Sequence, residues 1–253
     1  MLDPPSNALR TTLLATLPDD PLHLEVRGLL RNAAEVHILG DAVEPEVSGF
    51  VLAPGFGLAV AYGAPRTLLV DELRSAATEV MVVRDGLKLH LPMECAAAWL
   101  ELDGVSSLGL NRLQAQGRTG QAERMSERIQ HEVQIVKERS SPLLGTLPSD
   151  LALEFARLDP WPATACAVHE ERITSIAYAF VETGHYFDLS IDTLQFFRRE
   201  GYGTSCAAAL ILYQATRGKR PVWVASERSQ ASLALSNRLG FEDVGSMQSA
   251  LLQ

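Results

Sequence analysis

Residues 185–217 constrain the fold more than any other stretch of this chain. His185–Thr193 alternates apolar and polar side chains as a strand does, Arg198-Arg199-Glu200-Gly201-Tyr202-Gly203 places two glycines two apart, and Thr204–Arg217 reads as an apolar helix. A strand, a glycine turn and a helix in that order make an anion-binding device. The first amides of a helix lack partners inside it, and the helix dipole adds roughly half a positive charge at that end. Glycine lets backbone N–H groups approach a phosphate. Arg198 and Arg199 add fixed positive charge. A diphosphate suits such a site better than a neutral ligand.

Two common phosphate loops do not match. The P-loop requires Gly-Lys-Ser/Thr, which this segment lacks. The dinucleotide fingerprint requires a third glycine, and Cys206 stands there.

Arg198-x-x-Gly201-x-Gly203 resembles the pyrophosphate motif of the GNAT acetyltransferase superfamily, R/Q-x-x-G-x-G/A. Downstream, Ser229-Gln230-Ala231-Ser232-Leu233-Ala234-Leu235-Ser236-Asn237-Arg238-Leu239-Gly240-Phe241 resembles the family's second signature. Ser229 stands where Asn is usual and Arg238 where Lys is common, but the Leu-Gly-Phe ending is intact. The resemblance covers about residues 151–253.

It implies a mixed, mostly antiparallel sheet flanked by helices, in which the family's fourth and fifth strands, here His185–Thr193 and Pro221–Ala225, splay apart to admit pantetheine. It implies acetyl-CoA as cosubstrate, with no metal. The amides of Arg199, Gly201, Tyr202, Gly203 and Thr204, beside Arg198, would cradle the pyrophosphate. The main chain near Thr193 and Gln195 would meet pantetheine, an N–H near Thr193 polarising the acetyl carbonyl. Ser229 and Ser232, at the head of the second signature, complete the cofactor set. The reaction would be direct attack of an amine on the thioester, helped by positioning and by a base. Glu227 and Asp188 rank first as that base, ahead of Asp192, His185 and Tyr186. Many family members carry a tyrosine as the thiolate's acid where this chain has Ser236, whose hydroxyl is a poor acid. Ser236 therefore reads as packing, as do Cys206 and Trp223, and His169 and His185 read as solvated turn residues.

The rest of the chain divides into an N-terminal α/β zone over 1–115, an amphipathic helix and linker over 116–150, and the GNAT-like domain over 151–253. Helices are expected over Ala8–Leu17, Leu22–Ala33, Pro65–Ala76 and Pro92–Leu102. Strands are expected over Gly49–Pro54, Gly57–Tyr62 and Glu79–Val83. Met125, Ile129, Val133 and Val136 recur at helical spacing, and a further helix is expected over Leu151–Leu158. Ala163–His169, Ile173–Val181 and His185–Thr193 should form an antiparallel meander, followed by a helix over Ser229–Leu239 and a last strand from Phe241. No motif in the N-terminal zone carries chemistry and no internal repeat is visible. That zone would cover the acceptor pocket, or be a degenerate copy of the same fold.

A net charge of −9 argues against a general nucleic-acid or anionic-membrane binder and favours a cationic acceptor, an amine of a small molecule or peptide. Three scattered cysteines with no CxxC argue against disulfides or zinc, and point to a reducing cytoplasm. No stretch approaches the roughly 20 apolar residues of a membrane span. The reading is a cytoplasmic N-acetyltransferase. Its rivals are a non-catalytic acyl-CoA binder, an acyltransferase with a longer donor, and an interaction module.

Overall fold

A computed structural model describes residues 7–32, 35–41, 47–80, 86–116, 121–147, 152 and 161–253. The elements in chain order are α1 (Asn7–Thr16), α2 (Leu24–Asn32), β1 (His37–Asp41), β2 (Ser48–Ala53), β3 (Leu58–Tyr62), α3 (Val70–Val80), β4 (Leu87–Pro92), α4 (Met93–Leu100) and β5 (Val105–Gln116). There follow α5 (Gln121–Ser126), β6 (Val133–Val136), β7 (Thr164–His169), β8 (Arg172–Glu182), β9 (Tyr186–Thr193), α6 (Tyr202–Ala215), β10 (Arg220–Ser226), α7 (Gln230–Arg238) and β11 (Phe241–Leu252).

These elements pack as two units. One comprises Met1–Leu113, Ala225–Ser229 and Val244–Gln253; the other comprises Gln114–Val224 and Gln230–Asp243.

In the first unit, β1 and β2 pair antiparallel, as do β2 and β3, and β3 then pairs parallel with β4 across α3. The β2–β3 hairpin turns through Pro54–Phe56, between the two strands expected over Gly49–Pro54 and Gly57–Tyr62. Gly57 closes a short 3-10 turn in the left-handed region, where a side chain would be strained. The last residues of β11 pair antiparallel with β4, from Met247↔Pro92 to Leu252↔Leu87. Phe50, Leu52, Leu73, Leu89 and Trp99 fill the core. Trp99 meets Phe50 edge-on at 5.0 Å and its indole N–H donates to the Pro65 carbonyl at 2.9 Å. Truncating so large a buried ring costs about 3–5 kcal/mol in typical cores.

In the second unit, β6, β7, β8 and β9 form successive antiparallel pairs, and β9 then pairs parallel with β10 across α6. The β7–β8 turn runs through Glu170 and Glu171, both at positive φ. Ala207 and Ala208 on α6 are fully buried, and their small side chains let the helix backbone lie close to the sheet. Cys166, Ile176, Phe187, Leu210, Ile211 and Val222 are fully buried beside them.

The two units therefore repeat one topology, an antiparallel meander whose last strand continues through a helix into a parallel partner.

Two expectations need correction, and one strand was not foreseen. The stripe from Met125 to Val136 is not one helix: α5 ends at Ser126, and Val133–Val136 is a strand paired with β7. The three-to-four spacing coincided with a turn followed by an edge strand, and pairing to a partner far along the chain decided the outcome. His37–Asp41, which carried no expectation, is a strand. Glu79 and Val80, expected to open a strand, close α3, and the next strand begins at Leu87. The helix expected over Leu151–Leu158, and residues 81–83, lie almost wholly outside the described residues. Among the described residues no helix is long and apolar enough to cross a membrane.

Candidate functional site

Strand β9 carries the site. Its parallel pairing with β10 covers three rungs, Tyr186↔Arg220, Phe187↔Pro221 and Asp188↔Val222, and then stops, although β9 runs on to Thr193. On its other edge β9 stays paired with β8 as far as Ser175↔Thr193. Leu194 donates its N–H to the Thr174 carbonyl at 2.9 Å. Because successive residues of an extended strand point their amides to opposite edges, the backbone groups of Thr193 face the side that β10 has left. The Thr193 carbonyl there accepts from Arg198 Nε at 3.0 Å.

After Thr193 a 3-10 turn, Gln195–Phe197, carries the chain to the glycine segment. Arg199 sits at φ 69°, in the left-handed region that non-glycine residues rarely visit, and Gly201 at φ 92°. Gly201 is the N-cap of α6 and no side chain caps this end. The first intrahelical bond is from the Ser205 N–H to the Gly201 carbonyl, at 3.0 Å. The amides of Tyr202, Gly203 and Thr204 thus form the open first turn, which holds no acidic residue. Arg198 and Arg199 are exposed beside it. Open amides, a positive helix end and two guanidinium groups suit a diphosphate.

The loop is held from beneath by contacts that the sequence did not signal. Tyr202 is buried, its ring stacked on His131 at 3.8 Å between centroids and edge-on to Phe197 at 5.5 Å. Its hydroxyl lies 3.4 Å from His169 Nδ1. His131 Nε2 donates to the Glu200 carbonyl at 2.7 Å, and the Gln130 N–H donates to Ser205 Oγ at 3.1 Å. A β-carbon on Gly203 would stand 2.9 Å from Thr193 Oγ1, which itself lies 2.7 Å from Ser175 Oγ. Gly203 is therefore needed for close packing of helix on strand. His131, Ser175 and Ser205 were missed because their roles depend on contacts remote in sequence.

Asp188, half-buried, occupies the last rung before the strands part. Glu227 belongs to the other unit, where its Oε1 accepts from Arg112 Nε at 3.2 Å. Ser229 belongs to that unit too, with its N–H on the Ser226 carbonyl at 2.9 Å. Ser232 lies on α7 and its Oγ accepts from Trp223 Nε1 at 3.0 Å. Gln195 is exposed on the 3-10 turn. Thr193, Arg198, Arg199, Gly201, Tyr202, Gly203 and Thr204 fall together around one helix end.

Ser236 is fully buried, with Oγ 2.5 Å from Gln114 Oε1 and 2.9 Å from the Leu233 carbonyl. Trp223 meets Phe241 at 5.3 Å in the core. Burial pushes the Cys166 and Cys206 thiols up to about 12 and Cys95 to about 11. Such thiols stay protonated and are not nucleophiles.

Residues 164–248 match the GNAT acetyltransferase family model. Several solved structures share the fold over almost the whole chain. A GCN5-related N-acetyltransferase-like protein from Streptococcus suis is 18% identical, covering 96% of each chain at a TM-score of 0.59. A GCN5-related N-acetyltransferase from Kribbella flavida is 14% identical, covering 91% of this chain and 93% of its own, at 0.61. A tandem GNAT protein from the clavulanic acid biosynthesis pathway is 14% identical, covering 96% and 92%, at 0.58. No curated protein matches the sequence.

Proposed function

Taking residues 164–248 as a GNAT acetyltransferase domain, we propose that the chain transfers the acetyl group of acetyl-CoA to an amine. The observation that carries this reading is the open first turn of α6, with Gly201 left-handed at its mouth and two arginines beside it, next to strands β9 and β10 that part after Asp188.

In this reading the amides of Arg199, Gly201, Tyr202, Gly203 and Thr204 hold the diphosphate, with Arg198 and Arg199 neutralising its charge. The Thr193 N–H, on the edge that β10 leaves free, donates to the carbonyl under attack. Gln195 meets the pantetheine arm and Ser232 adds a hydroxyl to the cosubstrate site, while Ser229 belongs to the other unit. The thioester supplies the activated acyl group. A carboxylate first takes a proton from the ammonium and frees its lone pair; as the nitrogen then bonds to the acyl carbon the C–S bond breaks, CoA leaves as the thiolate, and the surplus proton on the nitrogen passes to that thiolate or to solvent. Asp188 is the first choice for that base, because it stands at the parting of the strands. Glu227, the other candidate, belongs to the other unit, where its carboxylate accepts from Arg112. The acceptor is a cationic amine, in keeping with the net charge of −9. Three free, buried cysteines are compatible with a reducing cytoplasm. The repeated topology, together with the likeness to a tandem GNAT protein, supports reading the N-terminal unit as a degenerate second copy.

Ser236 favours a second reading. Its hydroxyl is locked to Gln114, so no phenol stands where the family often keeps its acid. Either the thiolate leaves without a side-chain acid, or the domain binds acyl-CoA without turnover. Free-thiol release from acetyl-CoA across a panel of amines separates the two. Turnover that falls in Asp188→Asn, with CoA affinity intact, supports the enzyme. CoA binding with no turnover for any amine transfers the case to the binder, and failure to bind CoA removes both.

A further inference from the structure

Gly201, at the mouth of α6, sits at φ 92°, and glycine adopts either sign of φ at little cost. A half-turn of the Glu200–Gly201 peptide alters only ψ of Glu200 and φ of Gly201, and it exchanges the two faces of that peptide. One orientation offers an anion the Gly201 N–H. The other offers it the Glu200 carbonyl, which repels a phosphate. Glycine leaves both open, so a group outside the turn must choose between them.

His131 is placed to choose. Its Nε2 lies 2.7 Å from the Glu200 carbonyl oxygen. A carbonyl only accepts, so Nε2 carries the proton and donates it. The peptide is planar and trans, so its N–H points away from its C=O. With the carbonyl held by His131, the Gly201 N–H faces the opposite side, away from the imidazole.

The imidazole is itself fixed. It stacks on Tyr202 at 3.8 Å between centroids. Beside it, the Gln130 N–H donates to Ser205 Oγ at 3.1 Å, which ties this segment to α6. A β-carbon on Gly201 would stand 3.3 Å from His131 Nε2, so the ring lies close against the glycine. His131 precedes residues 164–248, which match the family model, and neither signature of the family points to it.

We propose that His131 is a positioning residue for the diphosphate: it selects the peptide orientation that aims the Gly201 N–H at the ligand. It acts through the Glu200 carbonyl and touches no reacting atom. A donor on that carbonyl also polarises the peptide and strengthens its N–H as a donor in turn. The inference rests on the reading of this helix end as a CoA site.

Glu200-Gly201 is the only Glu-Gly step in the sequence. The full chain labelled with 13C-carbonyl glutamate and 15N-glycine therefore gives one carbonyl-selected amide signal, that of Gly201. CoA is the probe, and its affinity is measured by isothermal titration. In the wild type the Gly201 proton signal should move downfield and saturate as CoA binds. His131→Phe keeps a ring on Tyr202 and removes the donor. It should weaken CoA by about fivefold, the measure of one ordinary hydrogen bond, and reduce the movement of the Gly201 signal. CoA that fails to bind the wild type removes the site and this inference with it. CoA that binds the wild type while the Gly201 signal stays unmoved overturns the inference alone, as does equal CoA affinity in the wild type and His131→Phe. The wild-type titration decides even where the variant does not fold.

Discussion

Gly203 presses against Thr193: a β-carbon at residue 203 would stand 2.9 Å from the Thr193 hydroxyl oxygen, which is itself tied to Ser175 Oγ. Any side chain at 203 must displace a hydroxyl already engaged, so Gly203→Ala should cost modest stability and little CoA affinity. Gly203→Asp adds a carboxylate to an open helix end and should weaken CoA by at least about tenfold, the measure of one lost charge-assisted bond. Isothermal titration of CoA into both variants separates sterics from charge. Equal affinities for the wild type and the aspartate variant would remove the diphosphate from this helix end.

Tyr202 links the loop to the segment beneath it through ring stacking on His131. Tyr202→Phe keeps the rings and loses only a long contact to His169, so it should leave the acetyl-CoA KM within about twofold. Tyr202→Ala and His131→Ala remove the stack, worth about 0.5–1.5 kcal/mol beyond its area. They should raise KM severalfold while kcat changes less. A drop confined to kcat would mean that the tyrosine acts on the reacting atoms instead.

Ser236 is a structural hydroxyl in this fold. Ser236→Ala leaves the buried Gln114 oxygen without its donor, which costs about 1–3 kcal/mol of stability. Thermal denaturation should show the loss and steady-state turnover should not. A collapse of kcat in a variant that remains folded would make Ser236 a participant in the chemistry.

The cysteines make the protein alkali-sensitive. Folding raises the Cys166 and Cys206 thiols from 9.0 to about 12, because burial disfavours the thiolate. Below pH 9 folded and unfolded chains hold the same thiol protons. Between pH 9 and 12 the unfolded chain releases protons that the folded chain keeps, so stability falls as pH rises through that window. Cys166→Ala/Cys206→Ala should flatten the decline in urea midpoint over that range. Thiol reagent at pH 8 should find none of the three cysteines until the protein is denatured, and fast labelling of the native state would contradict their burial.

Much of the candidate site is legible in sequence because it is local. Strand end, arginines, two glycines and helix follow one another within twenty residues, and each step is set by neighbours along the chain. The β7–β8–β9 meander is legible for the same reason, since short turns join adjacent strands. What tertiary structure alone decided is non-local. Val133–Val136 became a strand because β7 lay ready to pair with it. Ser236 met Gln114 from 122 residues away. The end of β11 joined β4 in the N-terminal unit, and the Glu25–His90 pair closed across 65 residues. Local backbone preference is written residue by residue in the sequence. Which strand edges meet, and which buried groups find partners, is chosen only when the folded chain must satisfy all of them at once.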